Sequence, residues 1–267
     1  MRLKDMVAIV IGAGQSPGEG MGNGRATVMR FAQEGAKVLA VDNRLASAEE
    51  TAALASTTRG GAAVAFEADV TRESTLKAAV DDARRRWGRV DILHYNVGLS
   101  LAGGDAPLAD ISEEALDRIF AINLRGCVMA VKHAIPVMRE QRSGVVITIS
   151  SLAALEQYPY VAYKATKAGM IAFTQQVAIQ NAEYGIRANC ILPGLMDTPM
   201  AVDTRARRTN RSRAEVAAER DAKVPLRHKM GTAWDVANAA LFLASDEANF
   251  ITGVALPVDG GGHVKIG

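Results

Sequence analysis

Short apolar runs rich in β-branched residues recur along the chain. They alternate with longer segments in which small and apolar residues return at helical spacing. The runs fall at 6–11 (MVAIVI), 37–42 (KVLAVD), 63–68 (AVAFEA), 90–95 (VDILHY), 144–150 (GVVITIS) and 186–192 (IRANCIL), with a last one inside 253–261. Several are almost continuously apolar, the pattern of parallel strands covered on both faces. The intervening segments, for example 25–35, 74–88, 162–176 and 231–245, read as helices, the last with Thr232 placed as an N-cap. Strict alternation of strand and helix predicts an α/β fold: a doubly wound parallel sheet of about seven strands with helices on both faces. No linker, repeat or low-complexity segment interrupts the pattern, so residues 1–267 are expected to form a single domain.

Composition narrows the picture only a little. The chain is 49% hydrophobic and 22% charged, ordinary for a globular protein with a buried core. A net charge of +2 gives no reason to expect nucleic acid or an anionic membrane as partner. Cys127 and Cys190 sit in apolar surroundings without metal-ligand spacing, so buried thiols in a reducing compartment are expected and no metal site is. No apolar run approaches the ~18 residues of a membrane helix. The apolar segment Met6–Ile11 is shorter than a signal-peptide core and runs straight into glycines. The expectation is a cytoplasmic protein.

Those glycines carry the first chemistry. The stretch GAGQSPGEGMGNGRA, Gly12 to Ala26, follows the first strand and opens the first helix. Gly22 and Gly24 stand directly before that helix, whose free amides and positive dipole end suit a phosphate. The second strand ends at Asp42, where a carboxylate accepts hydrogen bonds from adenosine ribose hydroxyls and repels a 2′-phosphate. NAD is therefore favoured over NADP, with Arg44 as the residue that pairs with a 2′-phosphate in the opposite case. The glycine spacing exceeds that of compact phosphate loops by six residues, an excursion over Gln15–Met21. It reads either as a solvated bulge beside the cofactor or as a flap over it.

The second informative stretch is SSLAALEQYPYVAYKATKAG. Tyr163 and Lys167 are four apart in the helical segment and emerge on one face. An ammonium beside a phenol favours phenolate, which together with the cofactor's own positive nicotinamide would bring Tyr163 toward the working range of a general acid/base for an alcohol or carbonyl. A hydroxyl at the end of the preceding strand, Ser150 or Ser151, would hold the same substrate oxygen.

With these motifs in order, the chain resembles the short-chain dehydrogenase/reductase family in its single-domain branch of Rossmann-type proteins. The resemblance runs over essentially the whole length. It rests on the glycine loop, ADV with Asp69, NVG at 96–98, INLRG with Asn123, the SS…YKATK segment, NCILPGLMDTPM at 189–200 and the C-terminal GVALPVDGG. It implies a hydride-transferring enzyme that interconverts a secondary alcohol and a ketone, with a small-molecule substrate and a homotetrameric or dimeric assembly. Residue by residue it implies Tyr163 as acid/base, with Lys167 lowering its pKa and binding the nicotinamide ribose. Asn123 would hold a water linking Lys167 to solvent. Gly12, Gly22, Gly24 and Asp42 would contact the cofactor's pyrophosphate and adenosine. Asp69 and Val70 would border the adenine, and Asn96 and Gly98 the adjoining ribose. Pro193, Gly194, Met196 and Thr198 would cradle the nicotinamide. The family's usual interval to the tyrosine points to Ser150, whereas the local pattern aligns Ser151, and Ser151 is selected. The chain departs from the family at Ile11, where threonine is usual, and at Tyr95 and Val97, where NNAG reads YNVG. His94, beside that departure, is expected to be a packed core residue, hydrogen-bonded within it.

The segment of about 198–224 is expected to close over substrate. Within 199–224, seven basic residues (Arg205, Arg207, Arg208, Arg211, Arg213, Arg220, Lys223) face four acids. They read as a solvated lid with an Arg211–Glu215 pair at i,i+4, or as arginine forks for a carboxylate, sulfonate or phosphate. Leu99, Leu101, Tyr158, Tyr160 and Met200 are expected to form a mostly apolar mouth. The rivals are an NADPH-linked carbonyl reductase and a dinucleotide-binding regulatory protein without turnover.

Overall fold

The computed structural model describes residues 1–57 and 62–265. Seven parallel strands form one sheet, with helices between them. In chain order the elements are β1 (Val7–Ile11), α1 (Asn23–Gln33), β2 (Lys37–Asp42), α2 (Leu45–Ser56), β3 (Ala62–Glu67), α3 (Glu73–Trp87) and β4 (Ile92–Tyr95). Then follow α4 (Glu113–Phe120), α5 (Gly126–Gln141), β5 (Gly144–Ile149), α6 (Val161–Asn181) and β6 (Ile186–Pro193). The chain ends with β7 (Met196–Asp197), α7 (Asp203–Thr209), α8 (Arg213–Asp221), β8 (Gly231–Thr232), α9 (Ala233–Ala244) and β9 (Ala255–Val258).

The sheet order is β3-β2-β1-β4-β5-β6-β9, with every pairing parallel. Strand order reverses between β1 and β4, so the crossovers on either side leave the sheet in opposite directions. A crevice opens there, beyond the carboxyl ends of those strands. The period-2 alternation of strand side chains divides the core in two. Val7, Ile9 and Ile11 pack with residues of α3, α5 and α6, while Ala8 and Val10 pack with residues of α1 and α9. Among the described residues no helix is long and apolar enough to cross a membrane.

The predicted strands and helices recur with small boundary shifts that have local causes. The strand expected from 90 begins at Ile92, because the buried Asp91 carboxylate instead accepts the Val7 amide (2.8 Å) and is forked by Arg89. The last strand shrinks to Ala255–Val258, since Gly260 and Gly261 both turn to positive φ. The helix expected over 162–176 runs on to Asn181, whose Nδ2 bonds back to the Val177 carbonyl. The two-residue pair β7/β8, too short for any periodicity to announce, ties the segment after β6 to the start of α9.

Between α4 and α5 the helix widens into a π-type turn, Ala121–Arg125. Tyr95, the departure in YNVG, reaches this turn and donates its hydroxyl to the Ile122 carbonyl at 2.6 Å. A Cβ at Gly126 would lie 2.6 Å from that oxygen, so the tyrosine fits only because residue 126 has no side chain. Tyr95→Phe should leave the Ile122 carbonyl without this donor and cost about 1–3 kcal/mol. Urea unfolding of the variant reads that loss; an unchanged midpoint would mean the turn is held without Tyr95.

Candidate active site

The crevice holds a cavity of about 710 Å³ that runs from the glycine loop to the 198–224 segment. Its size falls within the range of small-molecule sites. All the residues proposed above for cofactor contact line it: the glycine-loop positions, Asp42, Asp69, Val70, Asn96 and Gly98 toward one end, and Pro193, Gly194, Met196 and Thr198 toward the other. Tyr163, Lys167 and both Ser150 and Ser151 line it too. Asn123 does not, and sits buried behind it.

At the nucleotide end no side chain caps helix α1. Its N-terminus therefore keeps its positive character for an anion. Close approach of backbone is built in: a Cβ at Gly24 would lie 1.9 Å from the Gly12 carbonyl oxygen. Asn96 Nδ2 donates to that same carbonyl at 3.1 Å. Thr51 on α2 donates to the Ala13 carbonyl at 2.9 Å, so the loop is anchored although Ile11 offers no hydroxyl. The Asp42 carboxylate accepts the Gly14 amide (2.9 Å) and the Arg44 amide (3.1 Å). The Arg44 guanidinium folds back toward Asp42, 3.9 Å away, and donates to the Gln15 carbonyl. These features fit a dinucleotide: an uncapped helix end for the pyrophosphate and a carboxylate at the ribose position. The Asp69 carboxylate, by contrast, closes its own turn on Thr71, whose amide and hydroxyl hold it below the usual carboxylate range.

The excursion Gln15–Met21 is braced from both sides. The Gln15 amide spans it, accepting from Gly22 N (2.9 Å) and donating to the Gly20 carbonyl (3.0 Å). Across the crevice, Asp203 of α7 accepts the Glu19 amide (3.0 Å) and Arg207 donates to the Pro17 carbonyl (3.2 Å). Arg213 of α8 bonds Asp197 and lies 3.4 Å from Asp203 and 3.8 Å from Glu19. The Glu19 side chain is solvated, but the excursion's backbone is tied to the 198–224 segment.

At the catalytic end, α6 is pinned to the sheet. Lys167 is 2% exposed, and its Nζ donates to the carbonyls of Ile149 (2.7 Å) and Val97 (3.3 Å). Ser150 Oγ donates to the Lys167 carbonyl at 2.7 Å, so its hydroxyl serves the helix. Ser151 faces Tyr163, and its hydrogen bond favours the phenolate. Asn123 clamps Leu99 by accepting its amide (2.7 Å) and donating to its carbonyl (2.9 Å), and donates its second proton to Thr166 (3.0 Å). Both donors of the Asn123 side chain are thus taken by protein.

The expected depression of Tyr163 by Lys167 requires correction. Burial pushes the phenol up to about 12, and burial also pushes the Lys167 ammonium down to about 8. The ammonium lies 5.6 Å from the Tyr163 ring, and its attraction does not offset the loss of water around both groups. Lowering of Tyr163 by protein groups comes first from the Ser151 hydrogen bond and then from Arg205.

Other expectations change as well. Tyr160 does not line the cavity; it packs edge-on against Tyr158, which does. Arg211 pairs with Glu219 at 2.8 Å and not with Glu215, whose carboxylate closes a capping box on Ser212. His94 is a packed core residue as expected, edge-on to Phe31, but neither ring nitrogen has a hydrogen-bond partner. Burial drives its pKa down to about 3, which keeps the ring neutral.

Sequence reading also missed Asp105. Helix α6 starts after Tyr160, which cannot cap it, and the buried Asp105 supplies the cap from a distant loop. Its carboxylate accepts the amides of Ala162 (3.0 Å) and Tyr163 (3.1 Å) and the Ser100 hydroxyl (3.1 Å). Ser100 Oγ also lies 3.2 Å from the Tyr158 hydroxyl. The available signal was a long helix with no Ser, Thr, Asp or Asn at its N-cap.

A family profile described as enoyl-(acyl carrier protein) reductase matches residues 18–263. The chain is 36% identical over 262 residues to 2-(S)-hydroxypropyl-CoM dehydrogenase 3 of Xanthobacter autotrophicus, covering 97% of each chain. It is 34% identical over 266 residues to the 3-oxoacyl-(acyl-carrier-protein) reductase FabG of Thermotoga maritima, covering 98% of this chain and 99% of that one. The crystal structure of a short-chain dehydrogenase/reductase from Burkholderia xenovorans superposes with a TM-score of 0.91 at 39% identity. It covers 100% of this chain and 99% of its own.

The burial of Lys167 sets a pH signature. Below pH 8 the amine is charged in the folded and unfolded chain alike, and folding bears the whole cost of burying it, about 3 kcal/mol. Between about 8 and 10.5 the folded amine is neutral while the unfolded one still holds its proton, so stability rises with pH and the cost is gone above that window. Denaturant melts at pH 6 to 10.5 should therefore show wild type gaining on Lys167→Met across that window. A pH-independent difference would mean the ammonium is not desolvated.

Proposed function

The chain belongs to the short-chain dehydrogenase/reductase family of oxidoreductases acting on CH–OH and C=O groups, and within it we propose an NAD-dependent enzyme that interconverts a secondary alcohol and a ketone. The observation that carries the proposal is convergence. Ser151, Tyr163 and Lys167 meet in one cavity with an uncapped helix terminus and the Asp42 carboxylate.

A nicotinamide dinucleotide bound there supplies the acceptor for the hydride. Asp42 holds the adenosine ribose hydroxyls, and the α1 amides hold the pyrophosphate. Lys167, beside Gly98 where a Cβ would lie 3.2 Å from its Nζ, would hold the nicotinamide-side ribose. Pro193, Gly194, Met196 and Thr198 cradle the nicotinamide. On the substrate side, Ser151 donates to the reacting oxygen and Tyr163 shares it. In oxidation the C–H bond gives up its electron pair with its hydrogen as hydride, the O–H proton passes to the Tyr163 oxygen, and the C=O bond forms. Reduction reverses each transfer. Because the protein's own groups hold Tyr163 near 12, the phenolate needed for oxidation depends on positive charge brought to the site, in keeping with a cationic oxidised cofactor. Asn123 acts at one remove, holding Leu99 and Thr166 in place.

NAD is favoured because a carboxylate at the end of β2, Asp42, would repel a 2′-phosphate and Arg44 is turned back onto Asp42 and the loop. The second reading, an NADPH-linked carbonyl reductase, is favoured by Arg44's exposed position at the cavity edge and by similarity to a protein named as a reductase. Residues 198–224 act as a lid, fastened to the glycine-loop excursion through Asp203 and Arg213.

Tyr163→Phe removes only the acid/base oxygen. With NAD and a panel of secondary alcohols, kcat should fall about 10²- to 10⁴-fold while NADH affinity holds. Full turnover by the variant would remove Tyr163 from the chemistry.

A further inference from the structure

The basic residues of the 199–224 segment separate sharply by what they touch. Arg207 and Arg208 donate to the Pro17 and Leu101 carbonyls, Arg211 and Lys223 pair with Glu219, and Arg213 bonds Asp197. Two remain, and both line the cavity: Arg205 and Arg220. Among the described residues Arg205 donates to one acceptor, the Ala201 carbonyl at 2.8 Å. Arg220 reaches none among the described residues, and its Nε is buried without a partner. Burial, and after it the Arg205 guanidinium, pull Arg220 down to about 10.

Burying a guanidinium without an acceptor and facing it with a second like charge costs free energy on both counts. Glu219 and Asp197 favour the Arg220 charge from nearby, but both are already engaged, Glu219 by Arg211 and Lys223 and Asp197 by Arg213. Glu156, which also lines the cavity, interacts with Asp259, His263 and Lys164 and not with the arginine pair. The pair also belongs to the reacting end of the cavity: Arg205 acts electrostatically on Tyr163, and Arg220 on Tyr158. Tyr158 stacks 5.6 Å from the Tyr163 ring.

We propose that Arg205 and Arg220 form a subsite for a compact oxyanion, a carboxylate or sulfonate, borne by the substrate on the part remote from its carbinol carbon. The proposal rests on the oxidoreductase reading above for the rest of the molecule and adds the substrate's charge. A guanidinium fork matches the paired oxygens of such a group, and the second arginine supplies charge at the same point. The remaining wall, Leu99, Leu101 and Met200, suits a short aliphatic or alicyclic body.

The test uses 2-, 3- and 4-hydroxycyclohexanecarboxylates, each against its primary amide of the same shape, with the corresponding sulfonates as a third arm. The wild type should prefer the anion over the amide in kcat/KM by about 10- to 100-fold, mainly through KM, and lose that preference as ionic strength rises. Arg220→Gln should erase the preference, and Arg220→Lys should restore part of it. The sulfonate arm then separates carboxylate from sulfonate recognition. Calorimetric binding of the same compounds to the NADH-bound protein reads the subsite independently of turnover. Anion binding that is lost in Arg220→Gln, without turnover of any alcohol, would uphold the subsite and overturn the oxidoreductase reading. Equal use of amides and anions would overturn the subsite and leave that reading standing. So would an Arg220→Gln that weakens NADH and not the carboxylate, since the arginine would then serve the cofactor.

Discussion

Lys167 is almost wholly buried, and among the described residues its Nζ donates to the carbonyls of Ile149, at the end of β5, and Val97, just past β4. Ile149 is the last paired residue of β5 and Val97 lies two residues past the end of β4, so the ammonium sits at the carboxyl edge of the sheet. The bond therefore docks α6 against the carboxyl edge of the sheet at one fixed height, and Ser150 adds a second tether to the same residue's carbonyl. One turn earlier on the helix, Tyr163 is carried to the floor of the crevice. Asp105 fixes the helix from its other end, by capping the amides of Ala162 and Tyr163. The acid/base proposed for this enzyme is thus positioned by three buried polar contacts rather than by its own hydroxyl.

The same crevice collects everything else because strand order reverses beside it. The end of β1 delivers the glycine loop, the end of β2 delivers Asp42, and the end of β6 delivers the segment that becomes α7 and α8. The enlarged loop adds a connection across the gap. Glu19 N–H and Pro17 C=O meet Asp203 and Arg207, and Arg213 gathers three carboxylates around the junction. A compact loop would leave those groups of the 198–224 segment without these partners. The segment is accordingly not a uniform charged surface. Most of its cations hold structure, and Arg205 and Arg220 line the cavity.

Much of the frame was legible in the sequence because the central strands β1, β4, β5 and β6 are buried nearly throughout, so apolar runs mark them directly, while amphipathic spacing marks helices. The glycine loop, Asp42, Ser151, Tyr163 and Lys167 were legible because local motifs carry them, and the structure brings all of them to one cavity. What was not legible depends on contacts distant in sequence. Asp105 lies 57 residues from the amide of Ala162 that it caps. Tyr95 reads as a mere departure until the π-type turn at Ile122 appears opposite its hydroxyl. The pairing of Arg211 with Glu219 rather than Glu215 follows from a capping box that spacing alone does not rank. The protein's own groups raise Tyr163 for a similar reason: sequence counts the neighbouring charge of Lys167, whereas the fold removes the water from both partners.

The central claim is that this crevice binds a nicotinamide dinucleotide and that Asp42 selects the form without a 2′-phosphate. Calorimetric titration of the purified protein with NADH and, separately, NADPH tests it most directly. NADH is expected to bind tighter, by about tenfold or more, as one repelled phosphate beside a carboxylate requires. Tighter binding of NADPH would contradict the selector and promote Arg44 in its place. Binding of neither would contradict the dinucleotide site itself.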